Sequence, residues 1–140
     1  AYAVASGANL HPGDTFTVEL WFKRSTTGAA MQMWSGGAND VEIGFSSTDL
    51  LTVRKENVGN NFVSTASYTD TNWHYLTVVR SPGSTSVKVD GVTVTGTTTA
   101  QTFVAGTGFI NIGRRVSAAS NYFSGSLQHV AIYSTALATS

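Results

Sequence analysis

The chain has 140 residues, charged residues at only 11%, and a formal net charge of zero. That length suits a single domain over residues 1–140 with a sizeable core, and the neutral balance lacks the basic stripe of a nucleic-acid binder. No apolar run is long enough to span a membrane, and without cysteine there is neither a disulfide nor a thiolate metal site.

Elements follow one another as strands. Phe16, Val18, Leu20 and Phe22 alternate with Thr17, Glu19, Trp21 and Lys23, which predicts a strand over 14–24 with one apolar face. Further strands are expected near 30–35, 41–46, 50–56 and 61–67. The run at 73–80 is apolar on both faces at its middle, as a central strand would be. Ser81-Pro-Gly-Ser84 reads as a turn. Asp90-Gly91, between Val87-Lys-Val89 and Val92-Thr-Val94, predicts a two-residue hairpin, because Asp-Gly accepts the positive φ of a type I′ turn. Thr93 to Thr102 reads as an exposed extended loop or edge strand, or as a packing edge against another protein. The last strands fall near 108–114 and 122–133. Helical periodicity is lacking, apart from a single turn expected over Ala136 to Ser140. Many short strands at regular spacing predict an all-β, two-sheet antiparallel sandwich.

Three segments carry a family resemblance: Phe16-Thr-Val-Glu-Leu-Trp21, Trp73-His-Tyr-Leu-Thr77 running on through Val87-Lys-Val-Asp-Gly91, and Phe123-Ser-Gly-Ser-Leu-Gln-His-Val-Ala-Ile-Tyr133 with a small polar turn and Leu137 behind it. Their order and spacing resemble the laminin G-like, concanavalin A-type jelly rolls. That resemblance implies a jelly-roll sandwich that binds glycans or proteins and only sometimes catalyses. Members of the family usually begin with an extra strand, for which Ala1-Tyr-Ala-Val-Ala5 leaves little room. Either that strand is shortened or a neighbouring chain completes the sheet edge.

Catalysis has to be sought among Asp14, Glu19, Asp40, Glu42, Asp49, Glu56, Asp70 and Asp90. Glycosidases of the related fold carry Glu-x-Asp-x-(x)-Glu on one strand, placing two carboxyls about 5 Å apart for retaining chemistry. Here the nearest run is Asp40-Val-Glu42, read as rim charges, so the chain is expected to be no enzyme. The family's Ca²⁺ sites use clustered Asp, Asn and carbonyl oxygens. Asn39-Asp40 and the Asn57, Asn60, Asn61 loop could supply them, but the Asp-Glu pair often found in the closing strand is Gln128-His129 here. His11, His74 and His129 are scattered, so zinc would need them to converge, and His74 reads as a structural hydrogen-bonder.

Aromatics are the other route to function. Glu19 and Trp21 share the polar face of their strand, while Trp34, Tyr68 and Tyr122 sit next to turns and could be exposed. Trp21 and Trp73 could equally cover the core edge. The candidate ligand-binding set is Trp34, Asn39, Asp40, Tyr122, Glu19 and Trp21. The absence of cysteine and of any Asn-x-Ser/Thr sequon points toward a bacterial or phage source. With no evident leader and Ala1 compatible with loss of an initiator Met, the first reading is a non-catalytic phage virion surface protein, a capsid decoration or tail adhesin. It would engage protein partners, and glycans as well, in an oligomer. The alternative is a carbohydrate-binding module of a secreted bacterial protein, and a glycoside hydrolase comes last.

Overall fold

The computed structural model describes residues 2–7, 10–118 and 120–138. Its strands in chain order are β1 (Ala3–Ser6), β2 (Phe16–Arg24), β3 (Met31–Ser35), β4 (Val41–Phe45), β5 (Leu50–Lys55), β6 (Gly59–Ser67), β7 (Trp73–Ser81), β8 (Ser84–Val89), β9 (Val92–Thr93), β10 (Gly96–Thr98), β11 (Phe109–Ile112) and β12 (Gly125–Tyr133). One sheet runs β1-β11-β3-β4-β5-β6-β10 and the other β12-β2-β7-β8-β9. All pairings are antiparallel, which makes the predicted sandwich. The expected turn over Ala136 to Ser140 falls partly outside the described residues, and 136–138 are irregular.

Alternation builds the core. From β2 come Phe16, Val18, Leu20 and Phe22, and from β7 and β8 come Leu76, Val78 and Val87. Met31, Met33, Ile43, Phe45, Leu51, Val53 and Ile110 face them from the other sheet. Each such side chain contributes about 1.5–3 kcal/mol by leaving water. The closing strand adds Leu127, Val130 and Ile132, partly buried against that cluster.

The hairpin reading holds in detail. Asp90 and Gly91 have φ of 53° and 78° between the paired Val89 and Val92, the two positive values a type I′ turn requires. The threonine-rich stretch supplies β10, an edge strand on β6. The first strand is present in shortened form: β1 pairs with β11 from Ala3↔Ile112 to Ser6↔Phe109. The chain therefore supplies this edge strand itself.

One expectation fails for a local reason. Trp34 is only 2% exposed. Between Gln32↔Gly44 and Trp34↔Ile43 the register slips by one residue, and a bulge of this kind changes which face the following side chains occupy. Trp34 then shares a row with Ile43 and Val53 and joins the core.

Two buried arginines tie loops to the sandwich. Arg80 donates to Asp14 at 2.8 and 3.0 Å and to the Gln101 carbonyl at 2.6 Å. Arg24 donates to Asp49 at 2.5 Å and to the Tyr68 carbonyl. Burial pushes the Asp49 carboxyl up, but the Gly28 N–H and Arg24 outweigh it and hold the group below its ordinary value.

Candidate functional site

The outer face of the five-stranded sheet concentrates exposed aromatic and polar groups. Residues of β2 that do not enter the core point there: Glu19 is half-buried and Trp21 is 39% exposed. The same alternation in β7 brings Tyr75 and Thr77 to this face, with Trp21 directly opposite Tyr75 and Glu19 opposite Thr77. The Trp21 and Tyr75 rings lie 5.2 Å apart, tilted by 40°. Glu19 and Thr77 sit beside the Tyr75 hydroxyl; burial first, then the negative charge of Glu19, pushes the phenol above its ordinary value. Glu19 and Trp21, paired in the sequence reading, are thus brought together with two groups that reading missed. Tyr75 and Thr77 follow from the alternation of β7 once Leu76 and Val78 face the core, a choice that a run apolar on both faces at its middle left open.

A second missed contribution comes from β12. Its register passes from Gln128↔Trp21 to Ala131↔Glu19, so β12 carries one surplus residue. His129 occupies that point with φ of 50°. The bulge lets Leu127, Val130 and Ile132 all reach the core while His129 stays on the outer face. Trp21, Glu19, Tyr75, His129 and the 41% exposed Tyr133 then surround a hollow of about 490 Å³. Beside it, a hollow of about 300 Å³ is lined by Glu19, Tyr75, Thr17, Thr77, Lys88 and Leu137. The chain after β12 folds back to close that end: Thr17 Oγ1 donates to the Thr135 carbonyl at 2.9 Å and accepts from the Leu137 N–H at 2.9 Å.

The remaining candidates lie elsewhere. Tyr122 is 46% exposed but belongs to the other sheet, bridging to Gln32. Its ring is 6.2 Å from that of Tyr2, over which Arg114 stacks at 3.8 Å. Tyr68 is half-buried against Phe45. Asn39 is exposed in a turn, with φ of 64°. Asp40, by contrast, is fully buried. Its carboxylate meets His11 Nδ1 at 2.6 Å and accepts the N–H of Val41 at 2.7 Å, with Gly106 packed against it. Burial raises its pKa despite these bonds. The residue is a knot joining three loops, and the reading of Asp40 and Glu42 as rim charges is corrected.

Glu42 is equally buried, accepting from Ser35 at 3.2 Å with Arg115 Nε at 3.1 Å. Burial raises its pKa and the nearby Glu56 adds to the rise, against the pull of Arg115 and Arg54. Glu56 is also fully buried, with Arg115 Nε at 3.5 Å. The loop of Val116 and Ser117 lies against this pair: the Val116 N–H donates to Ser35 Oγ at 3.0 Å and the Ser117 N–H to Glu56 Oε1 at 3.1 Å.

Asp40, Asn57 and Asn61 of the oxygens considered for Ca²⁺ are committed in the same way, which leaves Asn39 and Asn60, two exposed amides without a carboxylate. Asn61 donates to the Thr99 carbonyl and accepts from Thr85, and Asn57 accepts from Arg115. With the Asp40 carboxylate also taken, these donors do not fit a calcium ion. The histidines stay apart, on Asp40, between Asp70 and Asp90, and beside Trp21. Among the described residues no group of three His, Cys, Asp or Glu could hold a metal.

A family model described as the concanavalin A-like lectin/glucanases superfamily, of laminin G type, matches residues 1–140. The chain belongs to this family. Among solved structures, one similar fold is domain 4 of AbnA, an extracellular arabinanase of Geobacillus stearothermophilus, in complex with arabinotriose. It has a TM-score of 0.70 and 18% identity, over 91% of this chain and 64% of that one. A putative carbohydrate-binding protein from Bacteroides ovatus gives a TM-score of 0.76 and 17% identity, over 99% of this chain and 42% of that one. The heptameric SAP-like pentraxin of Limulus polyphemus gives 0.64 and 16%, over 91% and 67%. The sialidase of Trypanosoma rangeli gives 0.62 and 14%, and this chain spans 21% of its length. A comparison with curated proteins found no match.

Proposed function

We propose that this domain binds glycans without cleaving them, through the outer face around Trp21 and Tyr75. The observation that carries the reading is the exposed Trp21 ring set against Tyr75, with the Glu19 carboxylate beside both. An indole face offers a stacking surface for the C–H side of a sugar ring, and a carboxylate accepts the hydroxyls at its rim. Support comes from the family and from two similar folds, one described as a putative carbohydrate-binding protein and one bound to arabinotriose. A glycan array probed with the labelled chain, repeated with Trp21→Ala, tests it. Signal lost in the variant supports the site; a blank array for both proteins overturns it.

This ranks the secreted bacterial module above the virion surface protein. Composition suits a virion component, but the structural support for assembly was an incomplete first strand, and β1 fills that position. Oligomerisation through an edge stays in the proposal, since Tyr2 to Ser6 offers neither charge nor proline to block a second copy. Binding to assembled capsids with a blank array would restore the virion reading.

A further inference from the structure

Two hollows share one wall. Glu19 and Tyr75 line both, and their diagonal placement on the neighbouring strands β2 and β7 makes that wall a polar ridge. On the β12 side stand Trp21, His129 and Tyr133, an aromatic surface. On the β8 side Thr77 and Lys88 offer hydrogen-bonding groups beside the apolar Val79 and Leu137. From β12 across β2 and β7 to β8 there are three strand spacings, about 14 Å at the usual separation, which is longer than one sugar ring.

We infer that the ligand of this face is an oligosaccharide running across the strands, with a neutral sugar in the Trp21 hollow, the next sugar in the Lys88 hollow and the Glu19–Tyr75 ridge between them. The inference rests on the glycan-binding reading above. The carboxylate of Glu19 only accepts hydrogen bonds, and with one oxygen near Tyr75 it has lone pairs left for hydroxyls arriving from either side. A sugar acid in the Trp21 hollow would set a second negative charge against Glu19 in a lining without lysine or arginine, and like charges at such range repel. One sugar can use the stacking surface or the hydrogen-bonding surface; two linked sugars use both, and the second binds as an intramolecular step.

Calorimetric titration of the whole chain with arabino-, xylo- and gluco-oligosaccharides, from single sugars to pentasaccharides, tests this against oligogalacturonides of the same lengths. In at least one neutral series, affinity is expected to rise about tenfold or more from one sugar to two or three and then level off. Oligogalacturonides are expected to bind more weakly than that series. Lys88→Ala, which trims the second hollow alone, should bring trisaccharide affinity down toward that of the single sugar. A single sugar binding as tightly as the trisaccharide, or galacturonides binding more tightly, overturns the inference while leaving glycan binding intact. Binding by no series, with Trp21→Ala silent, overturns the glycan reading as well.

Discussion

His74 Nδ1 lies 2.7 Å from Oδ2 of Asp90, the first residue of the β8–β9 turn. The other ring nitrogen lies 2.8 Å from Asp70, so a protonated imidazole donates to two carboxylates from two loops. Asp90 also accepts the Tyr75 N–H at 2.8 Å, which ties this clamp to the residue beside Trp21.

That clamp sets a pH dependence. Burial alone would lower the His74 pKa, but its bonds to Asp90 and Asp70 raise it above the ordinary value. Asp70 is held below its ordinary value, chiefly by its bond to His74. The histidine contribution is full below its unfolded pKa, about 6.5, and is lost as pH climbs through the raised folded value. The Asp70 contribution is present above about 3.9 and is lost as pH falls through its lowered value. The pair therefore stabilises most between these limits. Both carboxylates are about half exposed, so about 0.5 kcal/mol per pair is expected. Melting of the wild type and His74→Gln from acid to alkaline pH should show the largest gap below neutrality; a gap that widens at alkaline pH contradicts this.

Trp21 and Trp34 should part company on substitution. Trp21→Ala is expected to lower glycan affinity by about 1–2 kcal/mol, as for an exposed aromatic anchor, and to leave melting nearly unchanged. Trp34→Ala should cost about 3–5 kcal/mol of stability through the cavity it leaves. Calorimetry and thermal melts on both variants read the two effects separately.

Asp40→Ala removes the acceptor for His11 and Val41 at once. Breaking a buried, hydrogen-bonded pair of this kind costs about 3–5 kcal/mol. Denaturant unfolding should show that loss, and sugar affinity of the remaining folded fraction should match the wild type, because Asp40 is remote from Trp21.

No hydrolysis is expected. β-Glucans, arabinans and galactans incubated with the chain should release no reducing ends above a denatured control, and Glu42→Gln should change nothing in that assay. Release that Glu42→Gln abolishes would make the domain an enzyme.

How much of this was legible beforehand depends on where the deciding partner lies. Phe16 to Phe22 declares its inward face by alternation alone, and Asp90-Gly91 declares its turn by backbone chemistry. Trp34 misleads because a bulge in its own strand changes its face, and no composition rule locates that slip. Asp40 misleads because its neighbours, His11 and Gly106, come from distant loops that only the folded sheet brings together. His129 lay in between: Leu127, Val130 and Ile132 are spaced by three and then two, so a strand burying all three needs a surplus residue between the first pair. The spacing was in the sequence, and the bulge it requires went unread. The short β1, without charge or strong apolar pattern, offered no comparable signal.

The backbone at His129 acts as a filter on sequence change. With φ of 50°, the position tolerates Gly, Asn, Asp or His far better than branched or bulky side chains. Drift at this point of the rim is therefore confined to a short palette of small or polar groups, every member of which except Gly can hydrogen-bond through its side chain. The fold can retune what the rim recognises there while Val130 and Ile132 stay in place, and stability need not change when specificity does.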